Sequence, residues 1–487
     1  MINMTVEQKS ETIERFKTEL GEIVPSFPIT TDPYEIEAIS GDLSLLPKYH
    51  YKFKETYLAD VITRPGNTEE LSKIMAKCRE LSLPVTIRAA GTSCFSSSSP
   101  TMGGVIIDMR RMNTVHAIDA DKLTVKCDAG ISWIKLIESL LDSGLAPKCY
   151  PTSYKSSCVG GYVASSGKAG IGSPKYGSIK DTLISVTFVK PDGSVEKITK
   201  ESKGDLTLDN VVESLGIYGA VAEIEMSVTE LKTSMEMVGY GFKTFEAAMG
   251  FYLAIKGNSV NKPFFLSVSD KKFEQLSHKT LPSRNFFVYA VFYDDADITA
   301  KGIAFAKEAA EKGDGLGVDD WYLKEKWDDI ADTELNLGRM CNNPVFQEYL
   351  IDDNRVQTFY DLYATEGKKY HYKDAFYVMA GNGTNNRIKI FGLSDIANSR
   401  EFFGIKANFH TMTLQTYKQT DRLYTTGVVN TFYHLKFNPA DVKIRKTLKA
   451  KLDPEELVNS YRFVKAKMKF WRVNFLFWVA KFLYTVV

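Results

Sequence analysis

Apolar and polar positions change period several times along the chain, and the changes predict a mixed α and β architecture. The first 25 or so residues read as a polar amphipathic helix ending before Pro25. From Tyr57 the texture becomes α/β. Asp60-Val-Ile-Thr-Arg-Pro-Gly is a short strand and turn, and Thr68 opens a helix with a capping-type start. Pro84-Val-Thr-Ile-Arg is a strand that runs into a small-residue loop. Val105-Ile-Ile-Asp and Leu123-Thr-Val-Lys-Cys are β-rich, and Trp133 to Ser143 is helical. A second small-residue region covers Ser156 to Ser178, followed by the strand Leu183-Ile-Ser-Val-Thr-Phe-Val and a turn at Pro191-Asp-Gly-Ser. Ala220 to Met226 is the last strand of this region, and Glu230 to Phe437 alternates aromatic-rich strands with helices. The pattern predicts an N-terminal helical segment (1–53), an α+β domain (54–230), a second α+β domain (231–437), a return segment (438–460) and a C-terminal helix (461–487).

Composition narrows the functional classes. The 487 residues carry 61 Lys+Arg against 60 Asp+Glu, a net charge of +1, which argues against a general nucleic-acid binder. The total is unevenly distributed. Residues 461–487 hold six basic residues and no acid, so the other 460 residues carry 55 basic against 60 acidic groups. The six cysteines form no C-x-x-C pair, which disfavours a zinc ribbon, an iron–sulfur cluster or a disulfide framework. The opening residues show no apolar signal-peptide core, so a reducing cytoplasmic compartment is the expectation.

Two loops carry candidate chemistry. The first is Arg88-Ala-Ala-Gly-Thr-Ser-Cys-Phe-Ser-Ser-Ser-Ser; the second is Ser156-Ser-Cys-Val-Gly-Gly-Tyr-Val-Ala-Ser-Ser-Gly-Lys-Ala-Gly. Small residues let backbone N–H groups converge on a ligand, and hydroxyls add donors, which suits a pyrophosphate. Neither loop matches G-x-G-x-x-G opening a helix, and neither ends in G-K-[ST], so a Rossmann site and a P-loop are disfavoured.

These segments resemble the flavin domain of the vanillyl-alcohol oxidase/p-cresol methylhydroxylase (PCMH) superfamily. Arg88 to Ser93 is similar to its R-G-G-G-T-S loop, with Ala89 and Ala90 where glycine is usual. Tyr150-Pro-Thr with Cys158-Val-Gly-Gly-Tyr-Val-Ala resembles P…T-I-G-G-N-V-A. Lys175-Tyr-Gly-Ser with Asp181 resembles R-Y-G-T…D, and Gly216-Ile-Tyr-Gly-Ala-Val-Ala-Glu-Ile resembles G-T-L-G-I-I-T-E-V. The resemblance implies an α+β fold in which a two-subdomain PCMH-type FAD-binding domain is joined to a substrate (cap) domain with an antiparallel sheet. It also implies FAD contacts at Ala89, Ala90, Gly91, Thr92, Ser93, Thr152, Ser157, Cys158, Gly160, Gly161, Gly219 and Val221. Thr92 stands where covalent members carry a flavin-linked histidine, so non-covalent FAD is expected.

Arg445 to Asn459 and Val378-Met-Ala-Gly-Asn-Gly-Thr-Asn-Asn-Arg-Ile-Lys-Ile resemble segments of the D-2-hydroxy-acid dehydrogenase and glycolate oxidase branch. Met379 and Asn386 stand where that branch often has metal-binding histidines, and Asn382 replaces an acid. Thioether and carboxamide are poor substitutes for imidazole, so no metal is expected. Oxidising a 2-hydroxy acid requires a base for the hydroxyl proton and a cation for the carboxylate. Among His410, His434, Arg387, Lys389, Tyr417 and Tyr424, the catalytic candidates are Arg387, His410 and His434, with Arg387 as substrate anchor.

In a helix over the C-terminal segment, Val464, Met468, Trp471, Phe475, Trp478, Val479, Phe482 and Val486 form one stripe. Arg462, Lys465, Lys469 and Arg472 flank one side; Lys467 and Lys481 flank the other. Rings at headgroup level with basic groups snorkelling to phosphates describe an in-plane membrane helix, and no uncharged stretch is long enough to span. Phe470, Val473 and Phe477 on the back of the helix offer a surface for docking on the protein. The combined expectation is a cytoplasmic, peripherally membrane-associated FAD-dependent oxidoreductase. It would move a hydride from a small substrate, such as the D-2-hydroxy acid lactate, to flavin N5 and then to a quinone or another acceptor. A flavoenzyme for a lipid-linked or sterol-like substrate, or a flavoprotein subunit of an electron-transfer complex, are the alternatives.

Overall fold

The computed structural model describes the chain apart from residues 1–5, 24–27, 45–56, 166, 278–282, 333–342, 371–372, 395–398, 420, 425–426, 467 and 487. Cys341, Lys467 and part of the predicted N-terminal segment therefore lie outside the described residues. The amphipathic N-terminal helix is Val6–Ile23, and it buries Phe16 and Leu20 against the first sheet.

Three sheets make up the molecule. The first has the strand order Ile29–Thr30, Val61–Thr63, Val105–Asp108, Val85–Arg88. Its last three strands are parallel, and the first is antiparallel. The helix Thr68–Glu80 connects Val61–Thr63 to Val85–Arg88, and the Asn67 side chain caps it by accepting from Glu70 N at 2.9 Å. The second sheet is antiparallel and is built around the long strand Ala220–Glu230, which pairs with Thr124–Asp128, Leu183–Val189 and Leu145–Pro147.

The third sheet belongs to the second domain. Its order is Leu316–Gly317, Ser234–Phe242, Phe286–Asp294, Phe265–Asp270, Lys373–Ala380, Asn385–Ser394, Asn343–Asp352, Arg422–Leu423, and every pairing is antiparallel. Strict alternation divides its residues. Phe376, Val378, Ile388 and Ile390 join the core that includes Tyr252 of the helix Phe245–Gly257 and Phe409 of the helix Ser399–Lys418. Tyr377, Met379, Arg387, Lys389 and Phe391 lie on the opposite face. A one-residue slip would drive two cations into the apolar layer, so the register is strongly specified.

After the helix Pro439–Leu452 the chain returns to the first sheet. Val85 N donates to Leu457 O at 2.9 Å, and Asn459 bridges the domain by accepting from Ile87 N at 3.0 Å and donating to Leu215 O at 2.7 Å. The next residues correct the C-terminal expectation. The helix begins only at Phe470 and runs to Val486. Arg462 is 0% exposed and donates to the carbonyls of Ser97, Ser99 and Ser460 at 2.8, 3.0 and 3.2 Å. Val464 is buried in the first domain's core, and Lys465 pairs with Glu456 at 3.0 Å. Arg462, Lys465 and Val464 are therefore spent on the fold, the buried guanidinium being satisfied by three carbonyls.

The helix Phe470–Val486 docks on Ser399–Lys418. His410 donates from Nε2 to Asn474 Oδ1 at 3.0 Å and accepts at Nδ1 from Tyr433 Oη at 2.7 Å, and Phe477 lies 5.0 Å from its ring. Val473 is buried in this contact, while Trp471, Phe475, Trp478 and Phe482 are exposed in a row. Among the described residues no helix is long and apolar enough to cross a membrane.

Candidate active site

The strand Val85–Arg88 delivers the first small-residue loop, and the turn ahead of the helix Val159–Ser165 delivers the second. They face each other across a cavity of about 210 Å³. All twelve residues expected at FAD line it: Ala89 to Ser93, Thr152, Ser157, Cys158, Gly160, Gly161, Gly219 and Val221. Close approach explains the glycines. Gly91 has φ +72°, and a Cβ on Gly160 would meet Ala129 Cβ at 2.6 Å and its carbonyl at 2.8 Å. A Cβ on Gly161 would meet Ala89 Cβ at 3.2 Å, so glycine here lets the two loops approach. Burial pushes the Cys158 thiol up to about 11, so it stands there as a neutral, small side chain.

The second domain closes the other side. Glu348, Arg387 and Tyr424 line the same cavity. The Arg387 guanidinium lies 4.6 Å from the Tyr424 ring centre, and Arg387 Nη2 is paired with Glu348 Oε1. Tyr424 is itself fixed to the second loop, donating to Ala169 O at 3.3 Å. Burial opposes the Arg387 charge, but Glu348 beside it keeps its pKa above the ordinary arginine value. Arg387 Nε is buried with no hydrogen-bond partner among the described residues.

Arg387 also lines a smaller cavity of about 50 Å³, which shares Thr92, Thr152 and Ser153 with the first and continues between Met379, Lys389 and Phe391. Met379 faces this space, whereas Asn386 turns the other way. Asn386 accepts from Tyr252 Oη at 2.6 Å and donates to Asp353 Oδ1 at 2.8 Å inside the second domain. Neighbouring strand positions point to opposite faces, so the two residues cannot converge on one ion. Asn382 instead tethers the turn to the first domain, donating to Asp181 Oδ2 at 3.0 Å.

The structure brings neither His410 nor His434 to these cavities, which corrects their candidacy as catalytic groups. His410 anchors the C-terminal helix, as described above. His434 lies 2.8 Å from Asp441 Oδ2 in a separate polar recess with Arg422 and Arg445. Burial raises the Asp441 carboxyl, but His434 and Arg445 outweigh it and hold the group down at about 2. The sequence reading missed Glu348. Its signal is the polar pair Gln347-Glu348 inside the apolar run Val345 to Ile351, where a charge survives burial only with partners.

Residues 59–199 match the FAD-binding domain family. A D-lactate dehydrogenase of Archaeoglobus fulgidus is 26% identical over 310 residues, 62% of this chain and 66% of that protein. Glycolate oxidase subunit GlcD of Bacillus subtilis is 31% identical over 182 residues, 36% of this chain and 38% of that protein. A crystal structure of p-cresol methylhydroxylase with substrate bound superposes with a TM-score of 0.78, covering 95% of this chain and 98% of that one at 13% identity. Residues 59–199 form an FAD-binding domain, and the chain shares the fold of p-cresol methylhydroxylase. The aligned stretches span just under two thirds of the first relative's length and little more than a third of the second's.

The residues present fit FAD. A side chain on Gly161 would enter the cavity between the two loops, while Gly91 and Gly160 let the backbone close on Arg88 and Ala129. Nε and Nη1 of Arg88 are buried beside Gly91 with no partner among the described residues, donors that suit an anionic pyrophosphate. Thr92 offers no ring nitrogen for a flavin linkage.

Proposed function

We propose that this protein is an FAD-dependent oxidoreductase that oxidises a small 2-hydroxy acid of D configuration, such as lactate. The observation that carries the reading is Arg387. It stands where the FAD cavity meets a second, smaller cavity, with a buried donor left unused among the described residues. A carboxylate is the partner this charged donor fits, and it would hold the substrate's α-carbon against the flavin side of the junction. Bound FAD supplies the two-electron acceptor for a hydride. The chain's own residues do the rest: Tyr424 and Glu348 hold the guanidinium still, and the second domain's sheet shields the junction from water. The D-lactate dehydrogenase and glycolate oxidase relatives support this substrate class. The test is an anaerobic titration of the flavin-loaded protein. Addition of D-lactate or a related D-2-hydroxy acid is expected to bleach the flavin absorption, and an unchanged spectrum with every D- and L-hydroxy acid would remove the reading.

The proposal includes a peripheral membrane location, from which electrons pass to a quinone or another acceptor. The row Trp471, Phe475, Trp478, Phe482 supports it, with Lys469 and Arg472 exposed at the start of the helix. Four rings on one face give an interfacial helix its depth, and two cations favour anionic lipid. Replacing these four rings with serine is expected to release the protein from anionic vesicles in a flotation assay, with flavin content unchanged. Equal flotation of the variant and the parent would count against the location.

A further inference from the structure

Arg387 accounts for a carboxylate, but the oxidation also needs a group to take the hydroxyl proton, and neither histidine candidate is near. Among the described residues, the face of the second domain's sheet offers an amine beside Arg387. Lys389 follows Arg387 by two residues on the strand Asn385–Ser394, so the two side chains leave the same face side by side. Glu348 lies directly opposite Lys389 in the ladder. Lys389 Nζ is 3.0 Å from Glu348 Oε1, the same oxygen that Arg387 Nη2 binds. One carboxylate thus serves two cations, at a position where the Lys389 side chain is 4% exposed.

We propose that Lys389 is the proton acceptor of the reaction, working beside Arg387 as the carboxylate anchor. The inference rests on the hydroxy-acid reading above. Lys389 lines the small cavity that begins at Arg387, so an acid held by the guanidinium places its hydroxyl toward the amine. The hydroxyl O–H bond breaks and its proton goes to the lone pair on Nζ. The oxygen forms its second bond to carbon as the C–H bond gives up a hydride, with both electrons, to the two-electron acceptor. The product is the 2-oxo acid, and the ammonium formed faces its new carbonyl oxygen.

The surroundings suit a neutral amine. Burial brings the Lys389 pKa down to about 7. Arg387 adds a like charge on the same strand, and Glu348 opposes it from the next strand but is shared. Tyr377 from the strand Lys373–Ala380 is neutral, because burial raises its hydroxyl. Cys94 from the first loop is neutral too, pushed up to about 12 by burial. Lys326, which lines the far wall, is occupied by both oxygens of Glu274 at 2.8 and 2.9 Å. A lowered amine pKa means the base is available above about pH 7 and lost as pH falls through it, so turnover is expected to drop on the acid side.

The experiment uses the full-length, flavin-loaded protein and oxalate, a planar anion shaped like the product. Binding is followed by calorimetry at pH 8.5 in two buffers of different ionisation heat, which counts protons taken up. Wild type is expected to take up on the order of one proton per oxalate, because the anion restores the charge on Lys389. Lys389→Met and Lys389→Arg are expected to bind oxalate without uptake. Lys389→Arg keeps the charge but not the base, so its kcat should fall by about 10² or more with KM little changed, and the acid limb of its pH profile should disappear. Flavin content equal to wild type identifies variants that fold, and Lys389→Arg remains informative if Lys389→Met does not. Proton uptake that survives in a Lys389 variant overturns the proposal and leaves the hydroxy-acid reading standing. Failure of wild type both to bind oxalate and to bleach with hydroxy acids overturns the two together.

Discussion

Arg387→Met is expected to lower kcat/KM for a 2-hydroxy acid by about 10³-fold, roughly 4 kcal/mol of transition-state stabilisation, while flavin content stays at the wild-type level. The size follows from what the methionine removes. The guanidinium donates through Nη2 to Glu348 and keeps Nε buried, with no partner among the described residues, at the junction of the two cavities. Its loss deletes the carboxylate's charge-assisted fork and also leaves Glu348 with Lys389 alone. Burial already raises the Glu348 carboxyl, and Arg387 is what opposes that rise. A Glu348 left negative would then repel the substrate's carboxylate. Arg387→Lys is expected to recover little, because a point charge cannot replace a planar fork. Steady-state kinetics together with the flavin-to-protein absorbance ratio make the check. A variant within tenfold of wild type would take Arg387 out of the site.

Gly161→Leu is expected to yield a folded protein that retains less than roughly a tenth of the wild-type flavin. Gly161 lines the larger cavity, and its backbone is not in the left-handed region. A Cβ there meets only Ala89 Cβ, at 3.2 Å, so the first loop gives by a few tenths of an ångström and the rest of the side chain fills the space between the two loops. The cofactor is the group excluded. Gly219 makes the contrast: its φ is +142°, and a Cβ would sit 2.3 Å from Val189 O, so substitution there damages the fold itself. Flavin absorbance and thermal unfolding of the apo and reconstituted forms separate the two cases. Full flavin occupancy in Gly161→Leu would show that the loops do not enclose the cofactor.

The cofactor half of the site was legible because its chemistry is local. A pyrophosphate cradle needs consecutive small residues, and consecutive residues are what a sequence displays; Ala89 to Ser93 and Ser157 to Gly161 each lie within a single turn. The substrate half was not legible in the same way. Arg387 was found through the segment it sits in, but its partner Glu348 is 39 residues earlier on the adjacent strand. Their meeting depends on ladder register. His410 and His434 attracted attention as isolated imidazoles in aromatic stretches. Folding spends one on Tyr433 and Asn474 and sets the other beside Asp441. The C-terminal segment shows the same limit. Its heptad-like apolar spacing is real, but the helical periodicity said nothing of Arg462, which the fold draws into the first domain.

By itself the sequence determined the alternation of strands and helices, the two small-residue loops, the flavin class they imply and the aromatic face of the last helix. Each of these depends on residues within a few positions of one another, where propensity and periodicity act directly. The tertiary structure decided which cations meet which carboxylate, which histidines are structural, and where the cavity beyond the flavin begins. Those outcomes arise from antiparallel register and from burial, which set charges side by side across tens of residues and choose which of them keep their protons.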